Sequence, residues 1–257
     1  MAQDDAYTLL ERKVDAIRGS CKTGDERKVI DEVFDRQTLL TIYGMMIDGL
    51  IDSVEYPIST GKEGNVFLVR DKKGRDLAMK IFRTSNATFK RIAKYIEGDP
   101  RFRGISGNRR KVIYAWTSKE YRNLQRYTEA GLRVPRALAH DKNCLLMEFI
   151  GEGGVPAPKL KDADFDAQEV YATVVSFLKE GYCKARLIHG DLSEYNILYQ
   201  KKEAVIIDCG QAVTVEHYNA VEILERDVVN INRFFRNRGV KVIDHKELLN
   251  SIMEEEG

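Results

Sequence analysis

Residues 188–198, Ile188-His189-Gly190-Asp191-Leu192-Ser193-Glu194-Tyr195-Asn196-Ile197-Leu198, and residues 205–210, Val205-Ile206-Ile207-Asp208-Cys209-Gly210, decide how this chain reads. An apolar approach delivers His-Gly-Asp. Asn196 follows Asp191 by five positions, and a second apolar run ends on Asp208. Two carboxylates and one amide are thereby set at the ends of short apolar segments. Oxygen donors of that kind suit Mg²⁺, which takes a few protein oxygens and completes its shell with phosphate oxygens and water. Asn196 supplies a neutral oxygen and Asp208 a charged one, which leaves Asp191 off the metal to act as a base or to orient the attacking hydroxyl. Each string alone is also what an Asp-rich turn between buried strands looks like. The offset of Asn196 and the Ile-Ile-Asp strand end together favour chemistry. Phosphoryl transfer needs positioning and charge neutralisation more than covalent help from the protein, and this set offers both.

Upstream, Ile58-Ser59-Thr60-Gly61-Lys62-Glu63-Gly64-Asn65-Val66-Phe67-Leu68-Val69 predicts a strand, a glycine turn and a second strand. Leu77-Ala78-Met79-Lys80-Ile81 comes next as an apolar strand carrying one cation, Lys80. A lysine is rarely buried without a partner. The predicted helix Trp116 to Ala130 places Glu120 on a stripe with Trp116 and Leu124, which makes Glu120 the expected partner, ahead of Glu129 at the helix end. Cys144-Leu145-Leu146-Met147-Glu148-Phe149-Ile150 reads as a further strand broken at Gly151, and Asp166 to Cys183 as a periodic helix. Helices are expected over Val221 to Phe235 and Lys246 to Met253. Residues 1–57 read as a helical segment, densest from Phe34 to Ile51, that packs on the domain beginning at residue 58. It shows no basic recognition face, so no DNA partner is expected.

The 257 residues carry 32% charged side chains and a net charge of only +1, which argues for a soluble chain without global affinity for polyanions. The charge is unevenly placed. Residues 83–111 hold nine basic and two acidic side chains, a balance of +7, so the remainder sums to −6. Phe89, Tyr95 and Phe102 interleave those charges, a mixture that suits RNA phosphates and unstacked bases as well as a solvated loop. Ser106 is the candidate phosphate acceptor there. Cys21, Cys144, Cys183 and Cys209 form no Cys-x-x-Cys pair, and no apolar run reaches the ~18 residues of a membrane span, so a reducing, cytoplasmic setting is expected.

The catalytic stretch resembles a kinase catalytic loop. Ser59, Gly61 and Gly64 fall at the three glycine positions of a kinase phosphate loop, with Val66 at the valine beyond them. Lys80 then resembles the lysine that grips the α- and β-phosphates. The strand ending at Ile150 resembles the segment that becomes the hinge between kinase lobes. Taken together, Ser59-Thr60-Gly61-Lys62-Glu63-Gly64-Asn65-Val66, residues 189–198 and Ile206-Ile207-Asp208-Cys209-Gly210-Gln211-Ala212-Val213 resemble the RIO family of atypical protein kinases. The match is best to its type-one branch, since the type-two branch carries a longer N-terminal winged-helix segment than the 57 residues preceding the glycine turn.

The resemblance implies an α+β, two-lobed, truncated protein-kinase-like fold. It would have an N-terminal helical extension (1–57), an N-lobe of sheet and helix (58–147) with the basic insert 83–111, a hinge (148–151) and a small, mostly helical C-lobe (152–257). It implies ATP and Mg²⁺ (or Mn²⁺) as cofactors, serine autophosphorylation, and a role in maturing the small ribosomal subunit. That precursor, rRNA and protein, would be met through the insert; no membrane partner is implied. Asp191 would be the catalytic base, and Asn196 and Asp208 the metal ligands. Asp208 would also accept phosphate in an ATPase cycle. Ser59, Gly61, Lys62, Gly64, Val66, Ala78, Lys80, Glu120, Met147, Glu148, Ile150, Leu198 and Ile207 would bind ATP. Ser193 replaces the lysine that ordinary protein kinases carry two residues after the catalytic aspartate, which points to slow turnover. Two other readings compete. A small-molecule phosphotransferase of the aminoglycoside or choline kinase type shares His-Gly-Asp…Asn but needs more chain after Asp208 for its substrate. A non-catalytic ribosome-assembly scaffold would have no need of Lys80, Asp191, Asn196 and Asp208 together.

Overall fold

A computed structural model describes residues 2–20, 30–85, 87–90, 92 and 108–254. Two compact units emerge, Met1–Tyr121 with Ala137–Phe149, and Arg122–Arg136 with Ile150–Gly257.

The first unit opens with helices α1 (Ala2–Ser20) and α2 (Arg36–Ile47). Asp35 caps α2 by accepting the Thr38 N–H at 2.8 Å, which satisfies one of the orphan donors of its first turn. The helix closes at Gly49, whose φ of 73° only glycine adopts at little cost. There the Gly49 N–H donates to Met46 and the Leu50 N–H to Met45. Leu39, Ile42, Met45 and Met46 share the buried face of α2, each burial contributing about 1.5–3 kcal/mol. Leu40 and Leu50 lie off that face and are exposed.

Five antiparallel strands come next, β1 (Ser53–Thr60), β2 (Gly64–Arg70), β3 (Asp76–Phe82), β4 (Ala137–Asp141) and β5 (Cys144–Glu148), in the order β1-β2-β3-β5-β4. Helix α3 (Arg109–Glu129) enters between β3 and β4 in the chain. The register assigns the faces. Residues directly opposite in an antiparallel ladder share a face, and alternate residues along a strand change face. Val66 pairs with Lys80, Leu68 with Ala78, and Ala78 with Met147. These residues therefore lie on one face, while Phe67, Val69, Met79, Ile81 and Leu146 lie on the other. That second face packs with Leu10, Val14, Ile17, Phe34 and the apolar side of α2 in one core. The N-terminal helices thus cover the face away from Lys80.

Two expected boundaries move. The first strand begins at Ser53 rather than after Pro57, because Val54 is buried and pairs with Val69 before a register shift at Pro57. Helix α3 begins at Arg109 rather than Trp116. The Asn108 side chain caps it by accepting the N–H groups of Arg110 (3.0 Å) and Lys111 (3.2 Å), so the last basic residues of the 83–111 segment are helical.

The second unit is mostly helical, with α4 (Ala167–Cys183), α5 (Ala220–Asn237) and α6 (His245–Glu254). Asp166 caps α4 through the Gln168 and Glu169 N–H groups. A buried polar knot joins the helices. The Tyr171 hydroxyl donates to Asn232, Asn232 donates to the Ile243 carbonyl, and the Ile243 N–H donates back to Tyr171. Short ribbons complete the unit: β6 (Gly151–Glu152) with β7 (Val155–Pro156), β8 (Leu187–Ile188) with β11 (Val213–Thr214), and β9 (Ile197–Gln200) with β10 (Glu203–Ile206). The last two interleave. Residues 189–196 link β8 to β9 and residues 207–212 link β10 to β11, so both functional stretches are loops held at each end by ribbon strands. Among the described residues no helix is long and apolar enough to cross a membrane. Cys144, Cys183 and Cys209 are free thiols.

Candidate active site

In the first unit, Lys80 Nζ lies 2.8 Å from both carboxylate oxygens of Glu120, with the lysine side chain 11% exposed and the glutamate 2%. Trp116, Glu120 and Leu124 are all buried, as their common stripe on α3 requires. Glu129 is exposed at the helix end. Burying a lysine and a glutamate costs about as much as their attraction returns, so the pair is a weak source of stability. A buried pair on the sheet face opposite the N-terminal helices, with its glutamate supplied by α3, is what a phosphate-gripping cation needs: a lysine held in a fixed position. Val66, Ala78 and Met147 lie on that same face. The Glu148 side chain lies on the other face, opposite Leu77, so only its backbone is suited to a base on the Lys80 side.

The glycine turn is shaped by close backbone approach. A Cβ on Gly64 would stand 2.4 Å from the Ile81 carbonyl oxygen, and one on Gly61 would stand 3.0 Å from the Gly64 oxygen. Glycine is required at 64 so that β2 can lie against β3. The Gly61 N–H donates to the Gly64 carbonyl (2.9 Å), so this amide is spent inside the turn and Gly61 contributes shape rather than a phosphate contact. Ser59 is exposed and pairs with Val66, and Lys62 is exposed at the tip.

In the second unit, the loop after β8 is held from several sides. The Asn196 Nδ2 donates to the Asp191 carbonyl (2.8 Å) and to its Oδ2 (3.0 Å). That geometry orients the carboxylate and turns the Asn196 carbonyl oxygen outward as an acceptor. His189 bridges the two loops: Nε2 donates to the Ile207 carbonyl (3.0 Å) and Nδ1 accepts the Asp191 N–H (3.3 Å). Asp208 is exposed and sits in the left-handed region at φ 63°, a conformation costly for a non-glycine residue. Asn123 supports the backbone beyond it, donating to the carbonyls of Cys209 (2.8 Å) and Ala212 (3.4 Å). Burial raises the Asp191 carboxyl above the ordinary range, and the Asp208 charge pushes it the same way. Leu198 and Ile207 are half-buried near the ribbon ends. The Ile150 carbonyl accepts the Ala157 N–H, which leaves the Ile150 amide as the group suited to a base.

Three residues of this machinery escape the sequence reading. Asp227, fully buried on α5, accepts the Gly190 N–H at 2.7 Å and the Leu192 N–H at 2.9 Å, the two amides that flank Asp191. Burial pushes its carboxyl up to about 7 against those two donors. Arg226 donates to the Gly190 carbonyl, and Asn123 holds the far loop. A signal for Asp227 was present. Leu224, Asp227, Val228 and Ile231 form one apolar stripe, and an acid on such a stripe needs a partner, as Glu120 does. Of the segment 83–111, residues 86, 91 and 93–107, Ser106 among them, lie outside the described residues.

Among the described residues no three His, Cys, Asp or Glu side chains gather as a metal cage. The site offers one carboxylate, Asp208, and one amide oxygen, Asn196. Such a donor pair suits a hard cation that brings phosphate and water ligands of its own, so these residues fit Mg²⁺.

Comparison with known proteins agrees with this geometry. The RIO domain family model matches residues 65–248. The RIO-type serine/threonine-protein kinase Rio1 of Haloferax volcanii is 40% identical over 261 aligned residues, covering 100% of this chain and 89% of that protein. Its counterpart in Methanocaldococcus jannaschii is 39% identical, covering 90% and 79%. Serine/threonine-protein kinase RIO1 of Homo sapiens is 36% identical over 96% of this chain and 44% of its own length. Among solved structures, the Chaetomium thermophilum Rio2 kinase in an ADP/Mg²⁺-phosphoaspartate complex superposes with a TM-score of 0.65 at 23% identity, over 84% of this chain and 70% of that one. The fold is accordingly the truncated protein-kinase fold. Because the family match runs from residue 65 in β2 through the catalytic loop and α5, and the relatives align over nearly the whole sequence, the chain belongs to the RIO family, in its type-one branch.

Proposed function

We propose that this chain is an ATP- and Mg²⁺-dependent serine/threonine protein kinase that also hydrolyses ATP. It phosphorylates itself on serine and acts in the cytoplasm in maturation of the small ribosomal subunit. The observation that carries the reading is the double hydrogen bond from the Asn196 amide to Asp191, which prepares a base and a metal-facing oxygen with one side chain.

Lys80, held by Glu120, grips the α- and β-phosphates. Asn196 and Asp208 would hold Mg²⁺, which when bound would neutralise phosphate charge. The substrate hydroxyl oxygen forms a bond to the γ-phosphorus as the bond to the β–γ bridging oxygen breaks, its electron pair leaving with ADP. The hydroxyl proton passes to Asp191, whose raised carboxyl makes it a better acceptor than an ordinary surface aspartate. In the hydrolytic branch an Asp208 carboxylate oxygen bonds to the same phosphorus as the β–γ bridging bond breaks and ADP leaves, and water then cleaves the acyl phosphate, releasing inorganic phosphate and restoring the carboxylate. The phosphoaspartate captured in the Rio2 structure supports that branch. The relatives' names support the kinase branch, and the +7 balance of residues 83–111 supports contact with ribosomal RNA.

The test is incubation of the purified protein with Mg²⁺ and γ-labelled ATP, then treatment with hydroxylamine. Hydroxylamine-labile label that disappears in Asp208→Ala is the expected sign of the hydrolytic branch. Stable label on serine, lost in Asp191→Asn, is the expected sign of the kinase branch. The absence of both label and ATP hydrolysis would refute the proposal.

A further inference from the structure

Arg83, the residue after β3, touches the glycine turn twice. Its backbone N–H donates to the Glu63 carbonyl (2.9 Å), and its Nη2 donates to the Gly61 carbonyl (2.8 Å). The same Nη2 lies 3.0 Å from Asn65 Oδ1. Asn65 is fully buried, its Nδ2 has no partner among the described residues, and Arg83 is the partner of its carbonyl oxygen. A buried amide kept at the cost of an unmet donor, with its oxygen on one guanidinium, acts to orient that guanidinium.

The faces give this contact a direction. Asn65 pairs with Ile81 and Val66 pairs with Lys80, so Asn65 lies on the face opposite Lys80. Arg83 therefore draws the Gly61 carbonyl toward the face away from Lys80. In a planar trans peptide the carbonyl and the following N–H point in opposite directions. Fixing the Gly61 carbonyl on Arg83 turns the Lys62 N–H toward the Lys80 side. The three carbonyls of Gly61, Glu63 and Gly64, whose lone pairs would repel phosphate, each face a donor within the protein: Arg83 Nη2, Arg83 N–H and Gly61 N–H.

We propose that Arg83, steadied by Asn65, is a positioning residue for the nucleotide phosphates: it sets the Gly61–Lys62 peptide so that the turn presents an amide rather than a carbonyl to them. This deepens the kinase reading and rests on it. The residue enters the sequence only as one charge of the basic segment, yet its side chain is spent on the turn.

The experiment compares the affinities of Mg·ATP and adenosine for the full chain and for Arg83→Met, which keeps an apolar stem but removes every donor. Adenosine has no phosphate, so it reports the integrity of the base site. Mg·ATP affinity should fall about tenfold to a hundredfold, while adenosine affinity stays within about twofold. Unchanged Mg·ATP affinity, or equal losses for both ligands in a folded variant, would overturn the proposal. Should Arg83→Met not fold by circular dichroism, Arg83→Gln, too short to span Gly61 and Asn65, decides it on the same two affinities. Wild-type protein that does not bind Mg·ATP would refute the kinase reading itself, a result distinct from a variant that matches wild type.

Discussion

Asp227→Asn is the perturbation that asks most of the structure. The carboxylate is wholly buried and gives one oxygen to the Gly190 N–H and the other to the Leu192 N–H. Asparagine keeps one oxygen and turns its NH₂ toward the second amide, so two donors face each other. The variant loses a hydrogen bond, about 0.5–1.5 kcal/mol, and strands a buried donor, about 1–3 kcal/mol. The native carboxyl is raised from 3.8 to about 7. A raised carboxyl contributes its stability at low pH and loses it as pH climbs from about 4 through about 7. At about 1.4 kcal/mol per unit, wild type should lose on the order of 4 kcal/mol over that range from this group, while the asparagine protein lacks the dependence. The stability gap measured by urea unfolding is therefore expected to be widest near pH 4 and to narrow by pH 8. Turnover responds separately. One of the two amides beside Asp191 loses its acceptor and the shared anchor is broken, so kcat at saturating Mg·ATP should fall about 100-fold at either pH. Affinity for Mg·ATP should stay within about twofold. A kcat within about twofold of wild type, or a stability gap that does not narrow, would refute the anchor reasoning.

Removing one partner of the Lys80–Glu120 pair leaves a buried charge alone, so Lys80→Met and Glu120→Met should each destabilise by about 3–5 kcal/mol. The double variant should cost clearly less than their sum in a thermal or denaturant cycle. Asp191 is raised in part by Asp208, so Asp208→Asn should move the Asp191 carboxyl titration to lower pH, read by carbon NMR of the side chain without nucleotide. Gly64→Ala must push β3 away from a Cβ 2.4 Å from the Ile81 oxygen, which predicts a loss of about 1–3 kcal/mol and weaker Mg·ATP binding by calorimetry.

Much of the site was legible because its chemistry conflicts with its surroundings. Lys80 in an apolar strand and Glu120 on an apolar helix stripe each demand a partner, and the structure pairs them. Asp191, Asn196 and Asp208 were visible as polar residues punctuating apolar runs at fixed offsets. The α+β, kinase-like fold followed from the family resemblance that those strings carry. What stayed hidden has a common cause. Asp227, Arg226, Asn123 and Arg83 act on backbone amides and carbonyls, and a backbone partner leaves no trace in the sequence. The same limit explains the glycine turn. Glycine at 64 is dictated by the carbonyl of Ile81 on a neighbouring strand, a contact that local sequence does not encode. The start of α3 was missed because Asn108 caps it inside a stretch that reads as basic loop.

The two aspartates of the catalytic loops show how one set of donors can be divided between two tasks. Asp191 is partly buried, held by Asn196 and raised by burial, the state of a carboxyl suited to taking a proton. Asp208 is exposed and fixed in a left-handed conformation, while His189 holds the Ile207 carbonyl before it and Asn123 the Cys209 carbonyl after it. A non-glycine residue in that region costs of order 1–3 kcal/mol and persists only where its neighbours over-determine it. The clamps at 207 and 209 supply that constraint and leave the side chain between them unburied. An aspartate presented in this way can serve as a ligand and, in the hydrolytic branch, as an acceptor, because both roles need carboxylate oxygens that the protein itself does not bury. Loosening the clamp by Asn123→Ala should therefore impair metal binding and acyl-phosphate formation together. A variant that lost one and kept the other would separate the two roles proposed for Asp208.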